Sequence, residues 1–290
     1  MDSKNIKKIN IESGAYPEIL KEIHDPPKAL YIRGDFNDKD KIAVAIVGTR
    51  NFTSYGKQAT ENIAGDLAEA GITIVSGLAK GIDTFAHKAA LERGGRTIAV
   101  LGGAVDSKSL YPSCNRRLAD KITQNGAVVS EYPPETKSER YFFPQRNRII
   151  SGLSLGVVVM EAPEKSGALI TASCALEQNR EVFAIPGSIY SKNSTGTNKL
   201  IQMGAKLVAN VNDILEELNL PLLEEKRKKF KPENKQEEIL VDILTKEPVH
   251  LDEITKKSNL DVGIVNSTLI SLELKGIVKN TGGGYYTKNF

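Results

Sequence analysis

Loops that begin with glycine and carry basic or hydroxyl side chains are the first places in this sequence where chemistry is expected. Gly48, Thr49 and Arg50 follow residues 42–47, an apolar run rich in β-branched side chains. Glycine lets a backbone approach a ligand closely, and the planar guanidinium of arginine matches the geometry of a phosphate. A helix is predicted from Tyr55 onward, and the free N–H groups at helix N-termini attract anions. This crossover is therefore expected to bind phosphate.

Two later loops repeat this pattern. In one of them, Gly77 precedes the basic side chain of Lys80. In the other, Lys165 precedes Ser166 and Gly167, which are expected to start a helix. Loops that follow the strands of a parallel sheet emerge at the same edge of that sheet. The loops are therefore predicted to form one long phosphate-binding rim.

Residues 140–148 flank three aromatic rings with three arginines. Aromatic rings offer unpaired bases a stacking face worth roughly 1–3 kcal/mol per base, and guanidinium groups bind phosphates. The alternative is that the rings belong to the core and that the arginines pair with carboxylates. We favour a loop that binds single-stranded nucleic acid, with Phe143 or a neighbouring ring on a base and with Arg146 and Arg148 along the strand.

Acidic and imidazole side chains near these loops suggest other chemistry. Asp83 is expected to cap the helix that follows it, and His87, one turn further on, is expected to be a structural hydrogen-bonding group. Glu161 could grip a ribose or pair with a loop arginine. The sequence shows no carboxylate pair, metal-ligand cluster or nucleophile–base constellation with convincing spacing. We therefore predict no catalytic residue, no metal and no cofactor.

Composition is that of an ordinary globular protein. The chain has 290 residues, 40% of them hydrophobic and 26% charged, with a net charge of +3 that permits nucleic acid as a partner. Cys114 and Cys174 are far apart without metal spacing, which indicates reduced thiols in the cytoplasm. Neither a signal peptide nor an apolar run of the roughly 18 residues that could span a membrane is expected.

Strands and helices alternate regularly between residues 42 and 220. This alternation predicts an α/β fold, an extended Rossmann-like doubly wound parallel sheet. Residues 1–41 are predicted to be a lead-in segment, with a short edge strand at 29–32. Residues 221–235 are predicted to be a basic linker, since five cations fall within 226–231. Residues 236–290 are predicted to be a small winged-helix domain of three helices and a β-hairpin.

The charge of the winged-helix segment argues against duplex recognition. Residues 235–290 carry seven lysines and eight carboxylates, a net charge of −1, and the recognition helix, predicted at 262–274, is associated with one Glu and one Lys. A helix that reads duplex DNA should present cations to the phosphates. We therefore favour a protein-contact or accessory role for this segment.

Six motifs that occur in order resemble the DNA-processing protein A (DprA, or Smf) family. They are residues 47–50, 76–83 with 86–87, 143–144 with 146–148, 166–171, 184–187 and 196–201. The resemblance covers nearly the whole chain. It implies an extended Rossmann domain that binds single-stranded DNA and loads the RecA recombinase onto it, which in transformable bacteria serves the uptake of foreign DNA. It also implies a homodimer with an interface around residues 199–208.

The resemblance also assigns roles to residues. It implies that Gly48, Thr49 and Arg50 line a phosphate pocket, and that Ser166 and Gly167 form the opposing loop. It places the strand-binding stretch at residues 146–148, which include Asn147. Many members carry a helical domain at the N-terminus, and the forty or so residues before the first sheet strand are too few for it.

Two functional hypotheses follow. The first is a non-catalytic, sequence-tolerant single-strand binder that acts as a recombination mediator. The alternative is a nucleotide-processing enzyme similar to the phosphoribohydrolases, which would need Glu161 or Asp83 as its carboxylate beside a phosphate loop.

Overall fold

The fold is given by a computed structural model, which describes residues 6–223, 232–245 and 247–288. The chain divides into two units, residues 1–223 and 224–290. The cations at 226–231, on which the predicted basic linker depends, lie outside the described residues.

The first unit is built on a nine-stranded sheet. Its strands are β1 (Lys7–Asn10), β2 (Ala29–Gly34), β3 (Ala43–Val47), β4 (Thr73–Ser76), β5 (Thr97–Leu101), β6 (Gly126–Ser130), β7 (Gly156–Val159), β8 (Glu181–Ala184) and β9 (Lys206–Leu207). The spatial order is β1-β2-β6-β5-β4-β3-β7-β8-β9. Neighbouring strands from β6 through β3 to β9 run parallel, whereas β2 is antiparallel to both β1 and β6.

Helices cover both faces of this sheet. They are α1 (Glu18–Lys21), α2 (Ser54–Glu69), α3 (Ile82–Glu92), α4 (Arg116–Ile122), α5 (Phe142–Gly152), α6 (Gly167–Glu177), α7 (Thr195–Gln202) and α8 (Val211–Glu217). Alternate residues of β3 point to opposite faces: Ala43, Ala45 and Val47 join the core with α5 and α6, whereas Val44 and Ile46 join the core with α2 and α3. A strand covered on both faces must be apolar throughout. The predicted doubly wound, Rossmann-like fold is confirmed.

The strand order reverses at β3. The chain proceeds from β3 through β4 and β5 to β6 in one direction, then crosses back through α5 to β7 on the other side of β3. The loops after β3 and β7 consequently lead to different faces and leave a crevice between them. Such a switch point, at the carboxyl ends of the strands, is where ligands bind in open α/β sheets.

The predicted lead-in segment belongs to the sheet. The expectation of an edge strand at 29–32 is wrong, because β2 is hydrogen-bonded on one side to β1 and on the other to β6. Leu30 and Ile32 of β2 are fully buried, as is Leu20 of α1. β1 is therefore the outer strand, and residue 41 marks no boundary in the fold.

The second unit contains three helices and a small sheet. They are α9 (Lys235–Ile243), β10 (Val249–His250), α10 (Leu251–Ser258), α11 (Val262–Leu274), β11 (Val278–Gly282) and β12 (Tyr285–Lys288), with strand order β10-β12-β11. Leu240, Ile254 and Leu269, one from each helix, meet in its core. Asp261 caps α11 by accepting a hydrogen bond from the N–H of Gly263 at 2.8 Å. The predicted winged-helix architecture is confirmed.

Across 6–223, 232–245 and 247–288, the helices are all too short or too polar to cross a lipid bilayer.

Leu20→Ala tests whether the residues before β3 are part of the core. Leu20 is fully buried, so the substitution should lower the free energy of unfolding by about 2–5 kcal/mol through lost apolar contact and a residual cavity. Urea denaturation followed by circular dichroism measures the change. Leu222→Ala is the matched control, because Leu222 is 57% exposed and should change stability by about 0.5 kcal/mol or less. Equal effects of the two substitutions would contradict the assignment.

Candidate nucleic-acid interface

A cavity of about 320 Å³ occupies the crevice at the switch point. Of the predicted site residues, the cavity wall includes Gly48, Thr49, Arg50, Phe143, Arg146, Asn147, Lys165, Ser166 and Gly167. Gly77, Lys80 and Arg148 are not part of this wall. Three segments that are distant in sequence therefore converge: the loop after β3, the first turns of α5 and the loop that leads into α6.

The loop after β3 is held in place by its own backbone. The N–H of Thr49 donates to the carbonyl of Glu161 at 2.8 Å, and the carbonyl of Thr49 accepts from the N–H of Ile82 at 3.3 Å. The Thr49 hydroxyl accepts from the N–H of Asn51 at 3.1 Å. Thr49 is buried by these contacts, whereas Arg50, Asn51 and Phe52, which follow it, are exposed.

The guanidinium of Arg50 lies over an aromatic ring. Its central carbon is 5.7 Å from the centroid of Phe143, which makes a cation–π contact. Phe143 is half-buried and also touches Tyr111, with 5.8 Å between the ring centroids. In the part of the chain that the structure describes, Arg50 makes no recorded ion pair with a carboxylate. Its hydrogen-bond donors are therefore available to an anion in the crevice.

The stretch predicted as a loop at 140–148 is helical from Phe142 onward, which corrects that expectation. Residues three and four apart share one face of a helix. Phe143, Arg146, Asn147 and Ile150 therefore line the cavity together, with Pro144 beside them. Of the three aromatic rings at 141–143, Phe143 is the one in the cavity wall.

Arg146 lies under the crevice rather than along its surface, which corrects the expectation that it follows the strand. Its side chain is buried, and Nη1 donates to the carbonyl of Gly77 at 2.7 Å and to the carbonyl of Val100. A Cβ at position 77 would lie 2.6 Å from the guanidinium, so Gly77 is required for this packing. Burial lowers the pKa of Arg146 to about 10, and the carboxylate of Asp83 opposes this effect. The guanidinium remains a cation at neutral pH.

Arg148 is engaged in ion pairs and lies outside the cavity wall, so its contact with a strand stays a prediction. Its Nε donates to Asp25 at 3.0 Å, and its Nη2 donates to Glu131 at 2.8 Å. Residue 148 lies about 100° around α5 from the cavity-lining face, because successive helical residues are separated by that angle. The cation therefore ties α5 to neighbouring segments of the fold.

Asp83 supports the loop after β4 and does not cap α3, which corrects another expectation. Its Oδ2 accepts from the N–H of Gly77 at 3.1 Å and from the N–H of Ala79 at 3.3 Å. Gly81 is the residue that precedes α3, without a side-chain cap. Burial raises the pKa of the Asp83 carboxyl, and Arg146 opposes that rise. Lys80 is exposed in the same loop, outside the cavity.

Glu161 occupies the N-terminus of α2, where a phosphate was expected. Its carboxylate accepts from the N–H of Thr53 at 2.9 Å and from the Thr53 hydroxyl at 2.5 Å. A Cβ at position 56 would lie 2.1 Å from Oε2 of Glu161. The absence of a side chain at Gly56 therefore makes room for the Glu161 carboxylate at the start of α2. Glu161 is 1% exposed, and its carboxylate is bonded to Thr53 rather than to a loop arginine. The anion-binding position at α2 is therefore already filled from within.

The N-terminus of α6 is open. Ser166 caps it by accepting from the N–H of Ala168 at 3.3 Å, and Asn147 donates to the carbonyl of Gly167 at 3.2 Å. Gly167 is exposed, with open space beside its Cα, and Lys165 is exposed next to it. Because helix N-termini attract anions, this turn offers the crevice its second anion-binding element, opposite Arg50.

His87 lies in the core, away from the cavity wall. Its Nδ1 is 2.7 Å from the hydroxyl of Thr97, and its Nε2 has no partner among the described residues. Burial and, to a smaller extent, the nearby Arg146 together lower the pKa of His87 to about 3. This agrees with the structural role expected for it. Within the described ranges, no group of three or more His, Cys, Asp and Glu side chains could hold a metal.

Several cavity residues were not anticipated from the sequence. They are Asn51, Ala79, Pro144, Ile150, Pro163, Ile170 and Thr171. Ile150 and Thr171 follow helical spacing from Phe143 and Gly167, and that periodicity was the available signal. The others depend on how the loops fold back, for which a sequence offers no simple pattern.

The recognition helix of the winged-helix unit offers no free cation. Glu273 is the charged residue within α11, and Lys275 follows it. The ammonium of Lys275 lies 2.7 Å from Glu233 and 2.6 Å from Glu237. The cation is therefore neutralised within the described part of the unit, in line with the charge count of the sequence.

The fold and the crevice define a class: Rossmann-like α/β proteins with a crevice at the switch point of the sheet, followed here by a winged helix. The sequence model described as DNA recombination-mediator protein A matches residues 7–219, and the model described as DprA winged helix domain matches residues 224–284. The chain belongs to the DprA family, and the resemblance drawn from its motifs is confirmed.

Relatives and solved structures agree with this membership. DNA processing protein DprA of Bacillus subtilis is 49% identical over 216 residues, which cover 74% of this chain and 72% of that protein. The X-ray structure of DprA from Streptococcus pneumoniae is 45% identical, with a TM-score of 0.70 and 76% of each chain covered. DNA processing protein A of Helicobacter pylori, solved for its single-stranded DNA binding mode, is 33% identical with a TM-score of 0.66, covering 76% of this chain and 98% of that one.

His87→Leu tests the buried neutral imidazole. The pKa of His87 is about 3 in the fold, against an ordinary value of 6.5 for histidine. The stability that the neutral imidazole contributes is therefore fully present above pH 6.5 and is lost as the pH falls towards 3. Between pH 7 and pH 5 the His87 contribution should fall by about 2 kcal/mol. Urea denaturation at both pH values should show this loss in the wild type and a smaller one in His87→Leu.

His24→Gln provides the control for this measurement, because His24 is exposed. Its pH dependence of unfolding should match that of the wild type. An unchanged pH dependence in His87→Leu would show that the imidazole is not held neutral by burial.

Proposed function

We propose that this protein binds single-stranded DNA in the switch-point crevice, without sequence preference, and loads RecA onto the bound strand. The observation that carries the proposal is the arrangement of Arg50 over the Phe143 ring, facing the open N-terminus of α6 across one cavity. A cation, a stacking ring and free N–H groups are the elements that a single-strand groove requires. The single-stranded DNA binding mode described for the H. pylori relative supports the same reading.

The phosphate backbone is held by groups on both sides of the crevice. Arg50 binds a phosphate from the β3 side, and the N–H of Gly167 with the ammonium of Lys165 binds from the α6 side. Arg146 adds positive charge from below without touching the ligand, because it is buried. Phe143 provides the ring for a base, and stacking tolerates all four bases because each has a π-face.

The nucleotide-processing alternative is not favoured by the geometry. The carboxylate of Asp83 is bound to two backbone N–H groups, and that of Glu161 is bound to Thr53. Asp83 lies in the cavity wall, but its carboxylate is held by these N–H groups, and Glu161 lies outside the wall. Neither is therefore placed as the free carboxylate that an enzyme that cleaves a nucleotide would need. The crevice is therefore arranged to hold a strand rather than to react with it.

The proposal includes a homodimer. β9 is the outer strand of the sheet, with one side unpaired among the described residues. Met203, 69% exposed, and Leu207, 44% exposed, place apolar surface beside it. Pairing two copies through this region would cover that surface and align two crevices on one strand. Two linked sites raise affinity through effective concentration.

Loading of RecA follows from holding the strand by its backbone. A protein that binds phosphates and few bases leaves the remaining nucleotides accessible to another protein. The family description, a recombination mediator, supports this step. In a transformable bacterium the substrate would be the incoming strand, and the protein would act in the cytoplasm, where RecA is present.

Arg50→Ala tests strand binding. It should weaken the Kd for oligo-dT about tenfold, because a charge-assisted phosphate contact is lost. The slope of log K against log salt should fall by about 0.7, the value expected for one single-strand phosphate. Arg50→Lys should retain the slope and recover part of the affinity. Fluorescence anisotropy over a salt series measures both quantities.

Lys39→Ala is the matched control, since Lys39 is an exposed cation before β3, at the opposite edge of the sheet. It removes the same charge and should leave the affinity and the slope nearly unchanged. Equal losses in Arg50→Ala and Lys39→Ala would show that only the net charge of the protein matters. Equal binding of oligo-dT and duplex DNA by the wild type would contradict single-strand binding.

A RecA assembly assay tests the second step. On single-stranded DNA that is already covered by single-strand-binding protein, the wild type should shorten the lag before RecA hydrolyses ATP. Arg50→Ala should shorten it much less at the same concentration, because it occupies less of the strand. A wild type that binds the strand tightly and leaves the lag unchanged would refute RecA loading and leave the binding proposal intact.

A further inference from the structure

The loop between β8 and α7 presents two apolar side chains to solvent. Tyr190 is 92% exposed and Ile189 is 79% exposed. Tyr190 is the most exposed large hydrophobic residue of the part of the chain that the structure describes. Removing an aromatic ring from water is favourable, so a ring left fully in solvent at a loop tip indicates a surface for a ligand.

Hydrogen bonds hold this loop in one conformation. The side-chain oxygen of Asn198 accepts from the N–H of Gly187 at 3.2 Å, and its Nδ2 donates to the carbonyl of Gly187 at 3.0 Å. The hydroxyl of Tyr55 donates to the carbonyl of Pro186 at 2.6 Å. The N–H of Tyr190 donates to the hydroxyl of Ser188 at 3.3 Å. The ring is thus presented by a pre-organised loop, which reduces the entropy lost on binding.

The same loop is bonded to both walls of the crevice. The side chain of Asn193 donates to the carbonyl of Asn51 at 2.7 Å, in the loop that carries Arg50. The carbonyl of Asn193 accepts from the N–H of Ala162 at 2.8 Å, in the loop that leads to Lys165. β8 lies next to β7 at the same sheet edge. The loop therefore extends the crevice sideways, beyond the cavity.

We propose that Tyr190 is a second base-stacking position, which binds a nucleotide of the strand outside the crevice, with Lys192 binding a neighbouring phosphate. This inference rests on the proposed single-strand binding. Lys192 is exposed two residues after the ring, without a recorded ion pair in the described ranges. Phe143 and Tyr190 thus place one ring on each side of the anion-binding elements, and the strand lies across β3, β7 and β8.

Nucleic acid fits this loop better than a protein partner does. A ring beside a free lysine is the pairing that single-strand grooves use, whereas protein interfaces deplete lysine from their centre. The bonds through Asn193 also fix the loop to the crevice, and not to the region around β9 where the homodimer is proposed. If the loop instead contacted another copy of the chain, the Asn193 bonds to the two walls of the crevice would have no role in that contact.

Replacement of Tyr190 by Ala, Phe and Leu, with binding to oligo-dT of two lengths, tests this inference. For about 20 nucleotides, Tyr190→Ala should weaken the Kd about tenfold, whereas for about 4 nucleotides, which fill only the crevice, it should change little. Tyr190→Phe should bind as the wild type does, because the ring is retained. Tyr190→Leu should resemble Ala, because apolar bulk alone does not stack.

Abasic probes identify the contact as stacking. Two oligonucleotides of the longer length, abasic in the 5′ or in the 3′ half, are compared with the intact one. The probe that lacks the base covered by Tyr190, abasic in either the 5′ or the 3′ half, should bind the wild type and Tyr190→Ala with equal affinity. The intact oligonucleotide should bind the wild type more tightly. Equal binding of the wild type and Tyr190→Ala to every probe would overturn the inference.

The outcomes separate this inference from the function on which it rests. A wild type that binds no oligonucleotide would refute both. Loss of affinity in Arg50→Ala with none in Tyr190→Ala would refute only the second stacking position. A change in the sedimentation coefficient of Tyr190→Ala without abasic coupling would show that the loop contacts another copy of the chain, which would also overturn the inference.

Discussion

The buried guanidinium of Arg146 connects three parts of the sheet unit at the switch point. It is carried by α5, donates to the carbonyl of Gly77 in the loop after β4, and donates to the carbonyl of Val100 in β5. These bonds fix the first turns of α5 against the carboxyl ends of the strands. Because helical spacing then sets the directions of Phe143 and Asn147, the position of the stacking ring follows from the position of the buried arginine.

Internal carboxylates decide which anion-binding positions remain for a ligand. Glu161 fills the N-terminus of α2, and Asp83 accepts the N–H groups of the loop after β4. Each of these positions attracts anions, and each is already neutralised within the fold. Arg50 interacts electrostatically with Asp83 but forms no ion pair with a carboxylate among the described residues. At the first turn of α6 the N–H of Ala168 is bonded to the Ser166 hydroxyl, not to a carboxylate. Among these anion-binding positions, the two that remain open to a ligand are therefore Arg50 and the first turn of α6, and both face the crevice.

The sequence predicted the fold and nine of the nineteen residues in the cavity wall, because both depend on patterns of short range. Apolar strands that alternate with helices indicate a doubly wound sheet, and loops at strand ends indicate where its ligand binds. The role of Arg148 could not be predicted, because its partners Asp25 and Glu131 are 123 and 17 residues away. The burial of Arg146 depends in the same way on Gly77, which the sequence suggested only as a phosphate-loop glycine.

Tolerance of sequence follows from the donors that the fold has already used. Asn147, the cavity side chain whose amide could best read a base edge, donates its Nδ2 to the carbonyl of Gly167. Arg146, which could bind guanine by two donors in other settings, is directed at backbone carbonyls. What remains toward the crevice is the guanidinium of Arg50, the ammonium of Lys165, N–H groups at a helix end and an aromatic face. These elements recognise phosphates and the planes of bases, and neither differs from one nucleotide to the next, so a strand bound as proposed would be held without its sequence being read.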